Sequence, residues 1–393
     1  MTIVNAQCRL AARPVGLPKR ADWAFTEEPV SSPADGEFLV RVQYLSIDPA
    51  MRTWMNAGRS VPPVQIGEVM RAAGIARVVE SRHVDFAVGD EVYGVFGVQR
   101  YALSDGRGVT LVDTSLAPAP VHLGALGIGG LTAYFGLLDI GRPEPGQTVV
   151  ISGAAGSVGS VAGQIARIKG CRVIGIAGGE EKCRWLIEEL GFDAAIDYKS
   201  GDLRAQLKAN ALNGVDVFFD NVGGEALEAA LARLARGGRI VLCGAVSQYN
   251  STAAGHGPAN YMQLLVARAS MTGFVIFDYA DRYAEGVAQL AKWLHSGELR
   301  SREHVVAGDV NDFRRPCSSY SVARTPASWF SNSQPEQLLR RSQRPSGVGT
   351  PKPFRLFRFP FPELPAAAYL VPEQFAGRLM WTRRRPVVRG WRA

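Results

Sequence analysis

The chain has 393 residues, of which 47% are hydrophobic and 20% charged, enough to bury two ordinary cores. No run of about 18 apolar residues appears and the N-terminus, MTIVNAQCRLAARPVG, lacks the apolar centre of a secretory signal, so the expectation is a cytoplasmic enzyme with no membrane partner. The net charge of +8 suggests nucleic acid, but residues 314–393 hold 15 Lys and Arg against 3 Asp and Glu, leaving 29 against 33 in residues 1–313, so the body is mildly acidic and no nucleic-acid partner is expected.

In chain order, residues 1–127 read as short strands separated by turns. FLVRVQYLSID alternates through Leu39, Val40, Val42 and Leu45 and stops at Asp48-Pro49; GIARVVES and GDEVYGVFG follow with glycines at their ends. An antiparallel, barrel-like β domain fits. From about residue 130 the rhythm becomes strand, helix, strand. TVVIS (148–152), RVIGIAG (172–178), AAIDY (194–198), VDVFFDNVG (215–223) and GRIVLCGAV (238–246) are buried-strand runs. Helical stretches separate them, among them GEALEAALARLARGG, whose Leu227, Ala230, Leu231 and Leu234 would share a face. Strands covered on both faces and spaced by helices predict a doubly wound parallel sheet, so the fold class is α/β.

The first strand-helix turn of that sheet is SGAAGSVGSVAGQIA. Gly153, Gly156 and Gly159 permit a tight turn and close backbone approach, and the following helix offers free N–H groups and the positive end of its dipole, which is what a phosphate needs. Taken alone, the glycines could equally serve a tight packing turn; the surrounding strand-helix units favour the phosphate. The second strand indicates which nucleotide. Enzymes that use NAD usually end it with an acid, about 20 residues past the glycines, that holds the ribose 2′-hydroxyl. Here it ends Ala177-Gly178-Gly179, with Lys182 close behind, which favours a 2′-phosphate. Glu180 and Glu181 argue the other way, and Lys182 as a solvated first-turn residue remains open at this point.

Other chemistries do not assemble. Cys8, Cys171, Cys183, Cys243 and Cys317 are odd in number and lack CxxC spacing, and His83, His122, His256, His295 and His304 are dispersed, so no metal is expected. The glycine turn also lacks the G-x-S-x-G pattern of a nucleophile elbow.

Residues 1 to about 313 resemble a known family. LPKRADWAFTEEPV, DGEFLVRVQYLSIDPAMR, IGEVM, VVESRHVDFAVGDEVYG, GLTAYFGLLDIGRPEPGQTVVISGAAGSVGSVAGQIA, DNVGGEALEAAL and CGAVSQYN are similar, in order, to the zinc-free medium-chain dehydrogenases/reductases of the prostaglandin, leukotriene and curcumin reductase branch. The resemblance implies a GroES-like β-barrel domain (1–127), a Rossmann NADP-binding domain (128–280) and a return to the first domain (281–313). It implies NADPH-dependent reduction of the carbon-carbon double bond of α,β-unsaturated ketones and aldehydes, usually by a homodimer. Carried over by residue, Gly156, Ser157, Val158 and Gly159 would cradle the pyrophosphate, and Lys182 and Tyr198 would hold the 2′-phosphate. Asn221, the segment from Cys243 through Gly244 and Ala245 to Tyr249, and Phe274 with Val275 would line the remainder.

Hydride transfer to the β-carbon of an enone builds charge on its carbonyl oxygen, which needs a donor in a dry pocket. The resemblance assigns that role to Tyr249; the plainer alternative is an aromatic that packs after a strand. Two other readings stay open, a zinc-free quinone reductase as a second enzyme and, as the non-enzyme alternative, a nucleotide-binding protein without turnover.

The chain departs from the family in three places. Ala50 stands where relatives carry the tyrosine of DPYMR, and Gly97-Val98-Gln99-Arg100-Tyr101 where they carry GWQEY, so a wider or reshaped acyl pocket that prefers bulky enones is expected. From Arg314 onward no helix or strand period persists, and 11 prolines fall in 80 residues, which reads as a disordered basic tail. Back-translating FRRPCSSYSVARTPASWFS and reading from the third base of the Arg314 codon permits AALLLVLSGENPGKLVL, similar to the family's C-terminal helix and last strand. A frameshift that replaced those residues is therefore expected, with loss of the segment that closes the first domain.

Overall fold

The computed structural model describes residues 3–56, 61–253 and 255–313 and the backbone of 355–358. The first part of the chain carries strands β1 (Val4–Leu10), β2 (Trp23–Pro29) and β3 (Phe38–Ser46), helix α1 (Ala50–Trp54), and β4 (Gly74–Ser81), β5 (Glu91–Gly94), β6 (Tyr101–Ser104) and β7 (Thr110–Leu111). β1 and β2 form an antiparallel pair, while β3, β4, β5 and β7 lie side by side in a second sheet with β6 on β3. Their inward residues, among them Leu10, Phe38, Val40, Val42 and Leu45, make a core with Met51 and Trp54 of α1.

The second part alternates α2 (Ile128–Phe135), β8 (Thr148–Ser152), α3 (Ser157–Ile168), β9 (Arg172–Ala177), α4 (Glu180–Glu188), β10 (Ala194–Asp197), α5 (Leu203–Asn210), β11 (Val215–Asp220), α6 (Gly224–Leu231), β12 (Leu234–Leu242), α7 (Gln263–Ala267) and β13 (Ser270–Gly273). The six strands pair in the order β10-β9-β8-β11-β12-β13, all parallel. This is the doubly wound arrangement expected, with its change of direction between β8 and β11, where the crevice of such sheets opens. The apolar runs of the strands are continuous because alternate residues feed two cores. Val149, Ile151, Val173, Val217 and Phe219 face α2, α3 and α4. Val150, Ile174, Ile176 and Phe218 face α5 and α6. Each fully buried Phe contributes roughly 1.5–3 kcal/mol of transfer free energy.

One expected helix ends early. α6 stops at Leu231, and Leu234, expected on its apolar face, begins β12, where it pairs with Val215 while the Val215 N–H donates to the Arg233 carbonyl at 2.8 Å. Sheet pairing overrides the helical period, and Gly237, at a left-handed φ of 77°, carries the irregular strand on to Arg239.

Helix α8 (Tyr283–Ser296) packs on α2, after which the chain crosses back to the first part as β14 (His304–Ala307). The crossing is held by the buried Gln164 of α3: its Nε2 donates to the Arg300 carbonyl at 3.1 Å and its Oε1 accepts the Arg300 N–H at 2.8 Å. Beyond it, Arg100 pairs with Asp309, and Phe313 is buried edge-on against Trp23 at 5.3 Å. Of the tail, residues 355–358 form β15, antiparallel to β14 and parallel to β3. The expectation of disorder throughout 314–393 is thus corrected at these four residues: a strand slot lies open between β14 and β3, and an extended stretch of the tail occupies it. The rest of that expectation, and the frameshift read across it, falls on 314–354 and 359–393, outside the described residues.

Candidate active site

At the end of β8 the chain turns through Gly153, whose φ of 59° is left-handed, and enters α3 at Gly156, which offers no side-chain cap to the first turn. A Cβ on Gly159 would stand 2.3 Å from the Gly153 carbonyl, so only glycine lets the helix sit this close to the turn. The backbone N–H groups of Ser157, Val158 and Gly159 are therefore those of an open helix N-terminus. The Ser157 hydroxyl is buried without a hydrogen-bond partner.

A cavity of about 220 Å³ opens beside this turn, lined by Gly153, Ala155, Gly156, Ile176, Ala177, Gly178, Lys182 and Tyr198, and on its far side by Leu203, Val222, Gly223, Glu225, Ala226 and Ser247. Its width depends on Gly178, where a Cβ would meet the Tyr198 ring at 2.8 Å and Lys199 Cε at 2.9 Å. Asp197 accepts from the Gly179 and Lys199 N–H groups at 2.8 and 3.0 Å, which ties the ends of β9 and β10 together. Glu180 turns away to pair with Arg184 one helical turn on, 3.0 Å apart, leaving Lys182 as the charge this helix presents to the cavity. Of the expected residues, the structure gathers Gly156, Lys182 and Tyr198 around one cavity.

The ends of β11 and β12 form a second, hydrogen-bonded group. Asp220 is fully buried; its carboxylate accepts from the Ser152 hydroxyl at 2.7 Å and from the Val222 and Gly223 N–H groups at 3.0 Å. Burial pushes this carboxyl above its usual range, and the hydrogen bonds from Ser152, Gly223 and Val222 act in the opposite sense. Ser152 in turn accepts the Asn221 N–H at 2.8 Å, and Asn221 Nδ2 donates to the Ser152 carbonyl at 2.7 Å. The Cys243 and Gly244 N–H groups donate to the Asp220 carbonyl at 2.9 and 3.0 Å, so Asn221, Cys243, Gly244 and Ala245 are drawn to one strand end. Tyr249 follows on the 3-10 turn Val246–Gln248, and a Cβ on Gly244 would lie 3.2 Å from its hydroxyl. Burial holds the Tyr249 phenol above the ordinary tyrosine value, opposed by the Ala245 N–H and reinforced by Cys243 and Asp220. Phe274 and Val275 leave the end of β13; Phe274 packs on Gly136, and Val275 is exposed.

Comparison with known proteins agrees with this arrangement. Residues 6–112 match a family described as the N-terminal domain of oxidoreductase, and residues 157–293 one described as zinc-binding dehydrogenase. The NADPH-dependent curcumin reductase of Escherichia coli is 41% identical over 314 residues, 78% of this chain and 91% of the relative. Prostaglandin reductase 1 of Bos taurus is 38% identical over 76% of this chain and 90% of its own length. The crystal structure of CurA from Vibrio vulnificus in complex with NADPH superposes with a TM-score of 0.76 at 43% identity, covering 80% of this chain and 95% of that one. The chain belongs to the medium-chain dehydrogenases/reductases, in the curcumin and prostaglandin reductase branch. Among the described residues, no three His, Cys, Asp or Glu side chains cluster as metal ligands. Gly156 and Lys182, both expected from the local sequence pattern, line the cavity. Ser152, Asp220, Val222, Gly223 and Glu225 were not expected at the site, whereas Ser247 lies within the expected segment Cys243 to Tyr249. DNVGG did carry a signal, since Gly223 needs a φ of 72° where β11 gives way to α6.

Proposed function

We propose that the chain is an NADPH-dependent reductase of enone and enal carbon-carbon double bonds. The observation that supports this most is the cavity at the ends of β8, β9 and β10, which Lys182 enters and which no second-strand carboxylate blocks. The residues fit NADPH: an open helix N-terminus for the pyrophosphate, a buried Ser157 hydroxyl lacking a partner, and Lys182 with Tyr198 for the 2′-phosphate. Asn221, Cys243, Gly244, Ala245, Phe274 and Val275 are the residues for the rest of the cofactor. When bound, the cofactor supplies the hydride. The chain's own part is to hold a proton donor, and the Tyr249 phenol, kept protonated by burial, can donate to the substrate oxygen as charge grows on it. The test is NADPH absorbance followed with a panel holding a short alkenal, a large aromatic enone and a quinone; oxidation by enones supports the reading, and oxidation by the quinone alone overturns it. Ala50, half-buried at the head of α1, favours the large enone over the short one.

We read the chain as domains over 1–127, 128–280 and 281–313, acting as a cytoplasmic homodimer. Cys8, Cys171, Cys183 and Cys243 are free thiols, in keeping with a reducing compartment. For the dimer, the support is β13 at the sheet's edge, with Tyr261, Met262, Leu265 and Val266 exposed beside it. We also retain the proposal that the text after Phe313 is out of frame, which resequencing across that codon tests.

A further inference from the structure

We propose that Arg52 is a positioning residue for the turn that carries Tyr249, clamping that turn through Asn250 to the helix that carries Ala50. The inference rests on the enone-reductase reading for its catalytic meaning, though not for its geometry. Arg52 lies on α1, two residues past Ala50, and is only 9% exposed. Its Nε donates to the Gly16 carbonyl at 3.1 Å and to Asn250 Oδ1 at 3.0 Å. Nη1 donates to Asn56 Oδ1 at 2.6 Å, and Nη2 to the carbonyls of Pro14 at 3.2 Å and Gly16 at 2.8 Å.

Three segments distant in sequence therefore converge on one guanidinium: the loop at Pro14–Gly16, helix α1, and the turn ending at Asn250. Gly16 is at a left-handed φ of 73°, and its backbone comes so near the turn that a Cβ there would lie 3.8 Å from the Asn250 carbonyl. None of the five hydrogen bonds reaches a carboxylate, so the group is held by neutral oxygens. Burial lowers the Arg52 pKa, with Asp22 acting in the opposite sense from beyond hydrogen-bond contact; a buried charge whose direct partners are all neutral is costly when its only task is packing. What the guanidinium offers is its planar fork, which spans several acceptors at fixed angles as a lysine cannot. Asn250 is covalently next to Tyr249, and Ala50 is half a helical turn from Arg52. Through this one contact, the width of the mouth at residue 50 and the position of the Tyr249 hydroxyl are set together.

The experiment uses the full chain and three variants: Asn250→Ala, Asn250→Asp and Arg52→Lys. Asn250→Ala is expected to keep its melting temperature within a few degrees and its NADPH dissociation constant within about twofold. It should lower kcat/KM for an enone by roughly tenfold, which is the cost of about one charge-assisted hydrogen bond. The ratio of rates on the short alkenal and the large aromatic enone should shift as well. Asn250→Asp retains an oxygen for the fork and should recover most of the loss; Arg52→Lys should resemble Asn250→Ala. A merely structural role would lower the melting temperature of every variant and leave the substrate ratio unmoved, which overturns the proposal. Hydrogen exchange supplies a readout independent of turnover: Asn250→Ala should speed exchange at the amides of residues 15–16 and 246–250 together. Unchanged exchange in those segments sinks the clamp. Absence of enone turnover in the unaltered chain sinks only the reading on which its catalytic meaning rests.

Discussion

Asp220 has no exposed atom, yet it receives a hydroxyl and two backbone N–H groups from both sides of the sheet's crevice. Truncating it strands those donors, so Asp220→Ala is expected to cost about 3–5 kcal/mol in urea unfolding, whereas Asp220→Asn, which keeps one oxygen, should cost less than half of that. Lys182→Ala leaves the fold alone and removes the cation that lines the cavity, while Lys199 stays over the Tyr198 ring. It should raise KM for NADPH by roughly tenfold to a hundredfold and leave KM for NADH nearly unchanged, as read by steady-state kinetics. Asp48 gives a pH signature. It is buried, bonded only to Ser46 through one oxygen, and burial pushes it up to about 8. Because its folded value lies above the unfolded one, the protonated group stabilises the fold fully below about pH 4, and that contribution is lost as pH rises to about 8, at up to about 1.4 kcal/mol per pH unit. Urea midpoints at pH 5 and pH 8 should therefore differ, and Asp48→Asn should flatten the difference.

At the level of elements, the turn between β8 and α3 is a tightly constrained piece of backbone. A methyl at residue 159 meets the Gly153 carbonyl, and one at residue 163 meets the Phe192 ring at 2.0 Å. Gly159→Ala should thus cost about 1–3 kcal/mol of stability and weaken NADPH binding, both measurable by thermal shift with and without cofactor. The turn and the parallel strands were legible in the sequence because both are local: glycines at fixed offsets, and apolar runs of strand length between helical periods. Lys182 and Tyr198, which line the cavity, are expected near it, the first from the missing acid at Gly178-Gly179 and the second only by resemblance. Ser152 and Asp220 could not be read, since 68 residues separate them and no spacing rule joins two strands that meet only in the folded sheet. Arg52 with Asn250, 198 residues apart, escaped for the same reason. Leu234 was misread because its spacing fits a helix while its backbone serves a strand.

Across the whole molecule, the first unit depends on a chain that leaves it and comes back. Val310 and Phe313 are fully buried in its core, and the slot beyond them is filled by β15 from the tail. About a fifth of this chain lies outside the alignment with the curcumin reductase, a size in keeping with the 80-residue tail. A chain whose reading frame is restored after Phe313 should melt several degrees above the present one, since a packed helix and strand are worth about 1–3 kcal/mol or more. Equal melting temperatures in a thermal scan would count against the frameshift.

Gln164 joins these scales. Its amide grips Arg300 on both backbone faces, and it stands on the helix at whose head the phosphates are expected. The Arg300 N–H is held by Gln164, so its exchange with solvent requires that contact between α3 and the returning chain to open. Its exchange lifetime therefore reports on the contact between the helix and the returning chain rather than on the loop alone. Cofactor that steadies α3 would lengthen that lifetime and, with it, the time for which the returning chain stays closed to proteases.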